Sequence, residues 1–343
     1  MTPRARRLTP VAVVAAAYLG LMGLGALAPA LARVLDMALP FFGLIGLGFA
    51  CGRLFDTGDA IGGAGLKWLN IFIVYLALPA LFFTLVSRTP IHELANWRFV
   101  LATLSATAAA FVIAFAIGWI AARGDIAEAA IQGAAGAYAN VGYMGPGLTI
   151  SALGAAAAAP AALVFVTDTV FLFTAVPLAM ALARSDERGA PRAALHALGR
   201  IAVHPFNIAT AVAVAAAAFA WQPPPAIGRM VTTLSGAAAP CALFALGVTV
   251  GLRPFGGLAR EAPALVAIKL LVHPLLAWTF LTLAGVTGTW AKAGVLMAAL
   301  PPALNVFVLA SQYGVYVERA SNIVLAGTLA SVFTVTALLW FLA

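Results

Sequence analysis

Few residues in this sequence have the types and spacing that catalysis needs. There is no HExxH, no GxSxG and no phosphate loop. The DTG triplet of FDTGD (residues 55–59) occurs once, whereas an aspartic-protease site needs two copies. His204 and His273 each precede a proline and have no second ligand at metal spacing, so packing is the reading for both and no metal is expected. Cys51 and Cys241 fall inside apolar runs and define no disulfide framework. What remains is recognition chemistry set in apolar surroundings. Asn140 in AYANVGY and Asn305 in PALNVFV are amides, which can donate to a carboxylate while staying neutral. Asp168 in FVTDTVF and Lys269 in AIKLLVH are charges that must face protein or water at such a depth. They can neutralise each other as a structural pair; alternatively Asp168 carries a coupling proton, or Lys269 attracts an anion.

The elements that position these residues are set by lipid. The chain of 343 residues is 64% hydrophobic and only 9% charged, with a mean hydropathy of +1.04. A soluble domain is about a quarter charged, so this is an all-α polytopic membrane protein. Its partners are the bilayer and a small solute, and its net charge of +8 implies no nucleic acid. Apolar runs punctuated by Gly, Pro and charge give ten core spans, near 34–53, 66–87, 97–122, 127–154, 159–183, 201–221, 227–251, 262–284, 291–313 and 320–342. An eleventh apolar run, residues 8–32, reads as an extra transmembrane helix, a signal peptide behind PRARR, or a misassigned start. With the basic N-terminus inside, thirteen Lys and Arg fall in inside loops and five outside. Positive-inside then puts the 184–200 linker in the cytoplasm and the C-terminus outside, in an inner (plasma) membrane.

The linker separates an N-terminal segment and first five-span unit (1–33 and 34–183) from a second unit (201–343). An odd number of spans per unit turns any repeat upside down. A weak repeat is present. LPALFFTLV around Pro79 and APCALFALGV around Pro240 occupy the second span of each unit. Asn140 follows Pro79 by 61 residues and Asn305 follows Pro240 by 65, sharing A-x-x-N-V with one residue of slip. In those fourth and ninth spans, Gly142, Gly145, Pro146 and Gly147 on one side, and Pro301 and Pro302 on the other, should break both helices. Backbone left unpaired at membrane depth is tolerated only against protein or a water-filled cavity. Two matched breaks are therefore a pointer to a transporter site whose half-helix N-termini suit an anion.

These residues resemble the auxin efflux carrier (PIN-like) family from about residue 35 to the C-terminus. The resemblance lies in LPFFGLIGLGFACGR, LNIFIVYLALPALFF, YANVGYMGPGL, CALFALGVTV and LPPALNVFVLASQYGV, and is nearest to its malonate-carrier branch. It implies two inverted five-helix repeats with broken, crossing helices 4 and 9, often in a homodimer. It also implies transport of organic anions, mono- or dicarboxylates such as malonate or malate. The expectation is secondary transport with no cofactor; the sequence leaves open whether H⁺ or Na⁺ is coupled. The resemblance marks Asn140 and Asn305 as substrate contacts; the break residues Gly142, Gly145, Pro146, Pro301 and Pro302, and Tyr143 and Gln312 one or two helical turns from the asparagines, are candidates by their closeness in sequence. GPGL in place of the family's glycine-x-proline-leucine order is a departure. A membrane sensor that binds a carboxylate without moving it is the alternative from another class.

Overall fold

The computed structural model describes residues 29–54, 58–184, 205–252 and 258–342. The 184–200 linker beyond Arg184, most of the N-terminal run, His204 and residues 55–57 of FDTGD lie outside them. The described chain is helical. α1 is Pro29–Leu54, α2 Gly58–Phe72, α3 Leu78–Ser87, α4 Ile91–Leu94, α5 Trp97–Ala121, α6 Ile126–Ala137, α7 Gly145–Leu153 and α8 Ala158–Arg184. Then come α9 Pro205–Ala218, α10 Pro225–Gly251, α11 Ala262–Ala267, α12 His273–Leu283, α13 Gly288–Ala298, α14 Leu304–Tyr313 and α15 Val317–Leu342.

Six uninterrupted helical stretches are long and apolar enough to cross a membrane: Gly65–Ser87, Trp97–Ala121, Ala155–Ala183, Pro225–Gly251, Ala262–Leu283 and Val317–Leu342. The fourth and ninth expected spans are absent from that set for a physical reason. α6 and α7, and α13 and α14, have 12, 9, 11 and 10 residues, each well short of the roughly 20 a crossing takes. The outward surface is one only lipid would solvate: Ile120, Phe219, Leu283, Phe333 and Phe341 are all more than 70% exposed. Trp97, Trp119, Trp221 and Trp340 stand exposed near helix ends, where indole rings favour the interface.

Two prolines reshape long helices. Pro79 and Pro274 each occupy the second position of a helix that follows a five-residue π-turn, Ile73–Ala77 and Ile268–Val272. A proline ring removes an N–H and crowds the preceding turn, so the ladder widens there. Elsewhere side chains cap: Asn96 accepts from Phe99 N at 3.2 Å and Asp125 from Glu128 N at 3.0 Å.

The spans gather into two bundles. α1, α3, α9 and α10 pack on one another, while α5 packs on α6, α8 and α12, and α12, α13, α14 and α15 complete the second group. The closest seam is α1 on α10. Gly48 and Gly52 face Gly247 and Gly251, a G-x-x-x-G on each helix, and a Cβ at Gly48 or Gly247 would lie 2.2 Å from Phe244 O or 2.1 Å from Ile45 O. Backbones in direct contact are what small residues achieve in lipid, where no hydrophobic force drives helices together. At one face, the starts of α6, α11 and α15 are tied: Arg319 Nη1 is 3.8 Å from Glu128 and 3.9 Å from Glu261. Tyr316 also donates to Glu261. Burial and that hydrogen bond push the Tyr316 hydroxyl well above the usual phenol range. Arg319 is 57% exposed, so these ion pairs add little stability.

Candidate functional site

α6 ends at Ala137 because Tyr138 turns extended, and the chain runs through Ala139 and Asn140 before a turn restarts the helix at Gly145. Pro146 falls in the first turn of α7, where a missing N–H costs nothing. α13 stops at Ala298, and Pro301 and Pro302 hold the chain extended until α14 begins at Leu304. The breaks cross. Ala139 and Pro302 form an isolated antiparallel bridge, in which Asn140 N–H donates to Pro301 O at 2.8 Å and Ala303 N–H to Tyr138 O at 3.1 Å. Each break thus supplies the polar partner the other would lack in a dry interior.

Small residues let the half-helices close on this crossing. A Cβ at Gly145 would sit 2.8 Å from Met297 Cε, and one at Gly327 of α15 would lie 2.5 Å from Pro302 Cδ. Asn140 is 1% exposed and its Nδ2 has no hydrogen-bond partner. A buried amide donor left unmatched costs about 1–3 kcal/mol, and this one could be met by an acceptor from outside the chain. Asn305, half-buried in the first turn of α14, approaches the Tyr138 hydroxyl, which lies 3.2 Å from Thr169 Oγ1. The N-termini of α7 and α14 both open at the crossing.

A family model described as membrane transport protein matches residues 38–340. The chain belongs to the auxin efflux carrier family of membrane transport proteins. It is 48% identical, over 314 residues, to a protein of Rhizobium meliloti (strain 1021) named "Putative malonate transporter", an alignment covering 91% of this chain and 97% of that one. The carrier is accordingly a transport protein and not an enzyme.

Not every candidate residue reaches the crossing. Asn140, Gly142, Tyr143, Gly145, Pro146, Pro301, Pro302 and Asn305 all lie in the two breaks or the first turns of α7 and α14. Gln312 stands exposed in the last turn of α14, two turns beyond Asn305. Asn70 of the second span, which the sequence offers as a helix-packing or site-lining amide, opens into a groove of about 420 Å³ lined by Leu66, Lys67, Ile71, Val74 and Tyr75. Asp168 and Lys269 are both buried, at 1% and 0% exposed, but among the described residues they make no direct ion pair. Thr107 and His273 stand between them. Sequence reasoning missed Tyr138, Thr107 and His273. The one signal for His273 was its place four residues after Lys269, on the same side of a helical turn. Among the described residues no cluster of three or more His, Cys, Asp or Glu can hold a metal.

Proposed function

We propose that the carrier is a secondary active transporter of a small dicarboxylate of the malonate type, held at the crossed breaks and moved by alternating access. The observation that carries this reading is the unmatched Nδ2 of Asn140 beside two half-helix N-termini. Backbone N–H groups, a partial positive charge and a neutral amide together suit a carboxylate, which accepts several hydrogen bonds at once. The name of the Rhizobium relative supports malonate as the first substrate to try.

The two-bundle packing supports an inverted repeat. Shifting by five spans turns the α1–α10 contact into the α9–α3 contact and the α5–α6 contact into α12–α13, and all four occur. Within that arrangement one bundle would carry the crossing past the other. Counterflow of labelled malonate into proteoliposomes loaded with malonate, malate, lactate or an indole acid is the test. Exchange of malonate supports the reading. Binding without exchange would make the protein a sensor, and exchange only of lactate or the indole acid would move the substrate class.

A further inference from the structure

A second set of buried polar groups leads away from the crossing as one hydrogen-bonded chain. Thr107 of α5 donates to Asp168 Oδ1 of α8 at 2.9 Å, and its oxygen lies 3.2 Å from His273 Nε2. His273 Nδ1 lies 3.0 Å from Lys269 Nζ. Lys269 also donates to the carbonyl of Ala298, the last residue of α13 before the ninth-span break. All four side chains are at most 2% exposed. The proton positions follow from donor arithmetic. Thr107 has one O–H and gives it to Asp168, so its oxygen must accept from an N–H on His273 Nε2. An imidazole protonated there and neutral has an acceptor at Nδ1, which takes an N–H of Lys269. Every donor points the same way, from ammonium to carboxylate, and the unit carries no net charge.

Among the described residues no other charged group pairs with either one. The fourth-span break contributes the Tyr138 hydroxyl, bonded to Thr169 next to Asp168. The other charges of the surrounding helices sit near helix ends: Arg98, Glu128, Glu318 and Arg319 in the first turns of α5, α6 and α15, Asp125 capping α6, Glu261 just before α11 and bonded to Tyr316, Arg184 at the end of α8, and Lys292 on the Leu342 carbonyl.

We propose that Asp168, Thr107, His273 and Lys269 form a proton-binding site that couples proton uptake to entry of a carboxylate at the crossing. The proposal rests on the transport reading above. A hydronium ion gives a proton to Asp168 Oδ2, forming one O–H bond and breaking another, and leaves as water while Thr107 keeps its bond to Oδ1. The unit now carries one positive charge, on Lys269 at the carbonyl end of α13. An uncompensated ammonium is costly in the bilayer interior; one carboxylate of the dicarboxylate at the neighbouring break neutralises it, while the second lies against the half-helix N-termini of α7 and α14. Release of that carboxylate on the far side restores the cost. Asp168 then returns its proton to water and the neutral pair re-forms. His273 is a positioning residue: it aims Lys269 at Ala298.

The test uses the full chain in proteoliposomes with an acid-outside gradient, labelled malonate and an entrapped pH dye. The wild type should accumulate malonate above equilibrium and acidify the lumen in fixed ratio. Asp168→Asn should reach only the equilibrium level, with no proton flux, while still showing measurable counterflow. Thr107→Val should shift the pH profile of accumulation, and Thr107→Ser should restore it. Accumulation by Asp168→Asn equal to wild type overturns the proposal, as does a wild type that exchanges malonate but ignores the gradient. If Asp168→Asn fails to fold, an unshifted profile in Thr107→Val overturns it as well. A folded wild type with no counterflow of any carboxylate sinks the transport reading, and the proposal with it.

Discussion

Replacing Asn140 by alanine separates a structural amide from a substrate-facing one, because the two roles predict opposite patterns of stability. In the ligand-free protein Nδ2 is buried and unmatched, so deleting it removes a desolvation cost of about 1–3 kcal/mol. Truncation also leaves a small void, which costs a comparable amount. The two offset, and the ligand-free melting temperature should move by only a few degrees. The ligand response should not survive. Malonate at a hundred times its Kd stabilises a single-site protein by about 2.7 kcal/mol, or about 5 °C at roughly 2 °C per kcal/mol for a chain of this size. Losing a hydrogen bond to a charged group costs about 1.5–3 kcal/mol. The same malonate concentration would then add only about 0.3–1.3 kcal/mol. Melting can be followed with a thiol-reactive dye, since Cys51 and Cys241 are free and partly buried. An undiminished malonate shift in Asn140→Ala would show that the amide does not face the substrate, and a large loss of ligand-free stability would mean that it holds the fold.

Three further outcomes follow from the packing and the charge pattern. Gly247→Ala puts a Cβ 2.1 Å from the backbone oxygen of Ile45, which cannot swing aside, so α1 and α10 must separate at a cost of about 1–3 kcal/mol; gel filtration should show less monodisperse protein. Gly327→Ala presses on the Pro302 ring at 2.5 Å, and should lower malonate counterflow at least about tenfold through the crossing while costing no more than about 3 kcal/mol of stability; wild-type counterflow would free the break from this contact. A cysteine at position 189 should react only with reagent supplied from the cytoplasm and one at the C-terminus only from outside; reaction of both from one side would break the odd-span count.

The breaks were legible because glycine and proline act locally and are clustered there: Gly142, Gly145 and Pro146 fall where α7 restarts, and Pro301 and Pro302 are adjacent, whereas the single Pro240 lies inside the continuous α10. Their mutual pairing was not, since the Ala139–Pro302 bridge joins residues far apart in sequence and leaves no periodic trace. Asn140 could be picked out as an amide in an apolar run. Gln312 was picked for closeness in sequence, and the helical rise carries it away from the crossing. His273 read as packing because its partners come from α5 and from the π-turn before it, and no spacing rule announces a π-turn. The G-x-x-x-G spacing of Gly48 and Gly52, and of Gly247 and Gly251, was present in the sequence, but only the folded chain sets the two against each other.

The bridge between the breaks also constrains how the protein is made. The carbonyl of Tyr138 finds its donor only at Ala303, 165 residues later in the chain. At a synthesis rate of about 5–20 residues per second, the fourth span waits about 8–33 s for the ninth. Until then the Tyr138 carbonyl and the Asn140 N–H lack the partners they have in the folded protein, and hydrocarbon offers none. A fourth span already broken at Tyr138 therefore becomes favourable in lipid only once the ninth span has been synthesised.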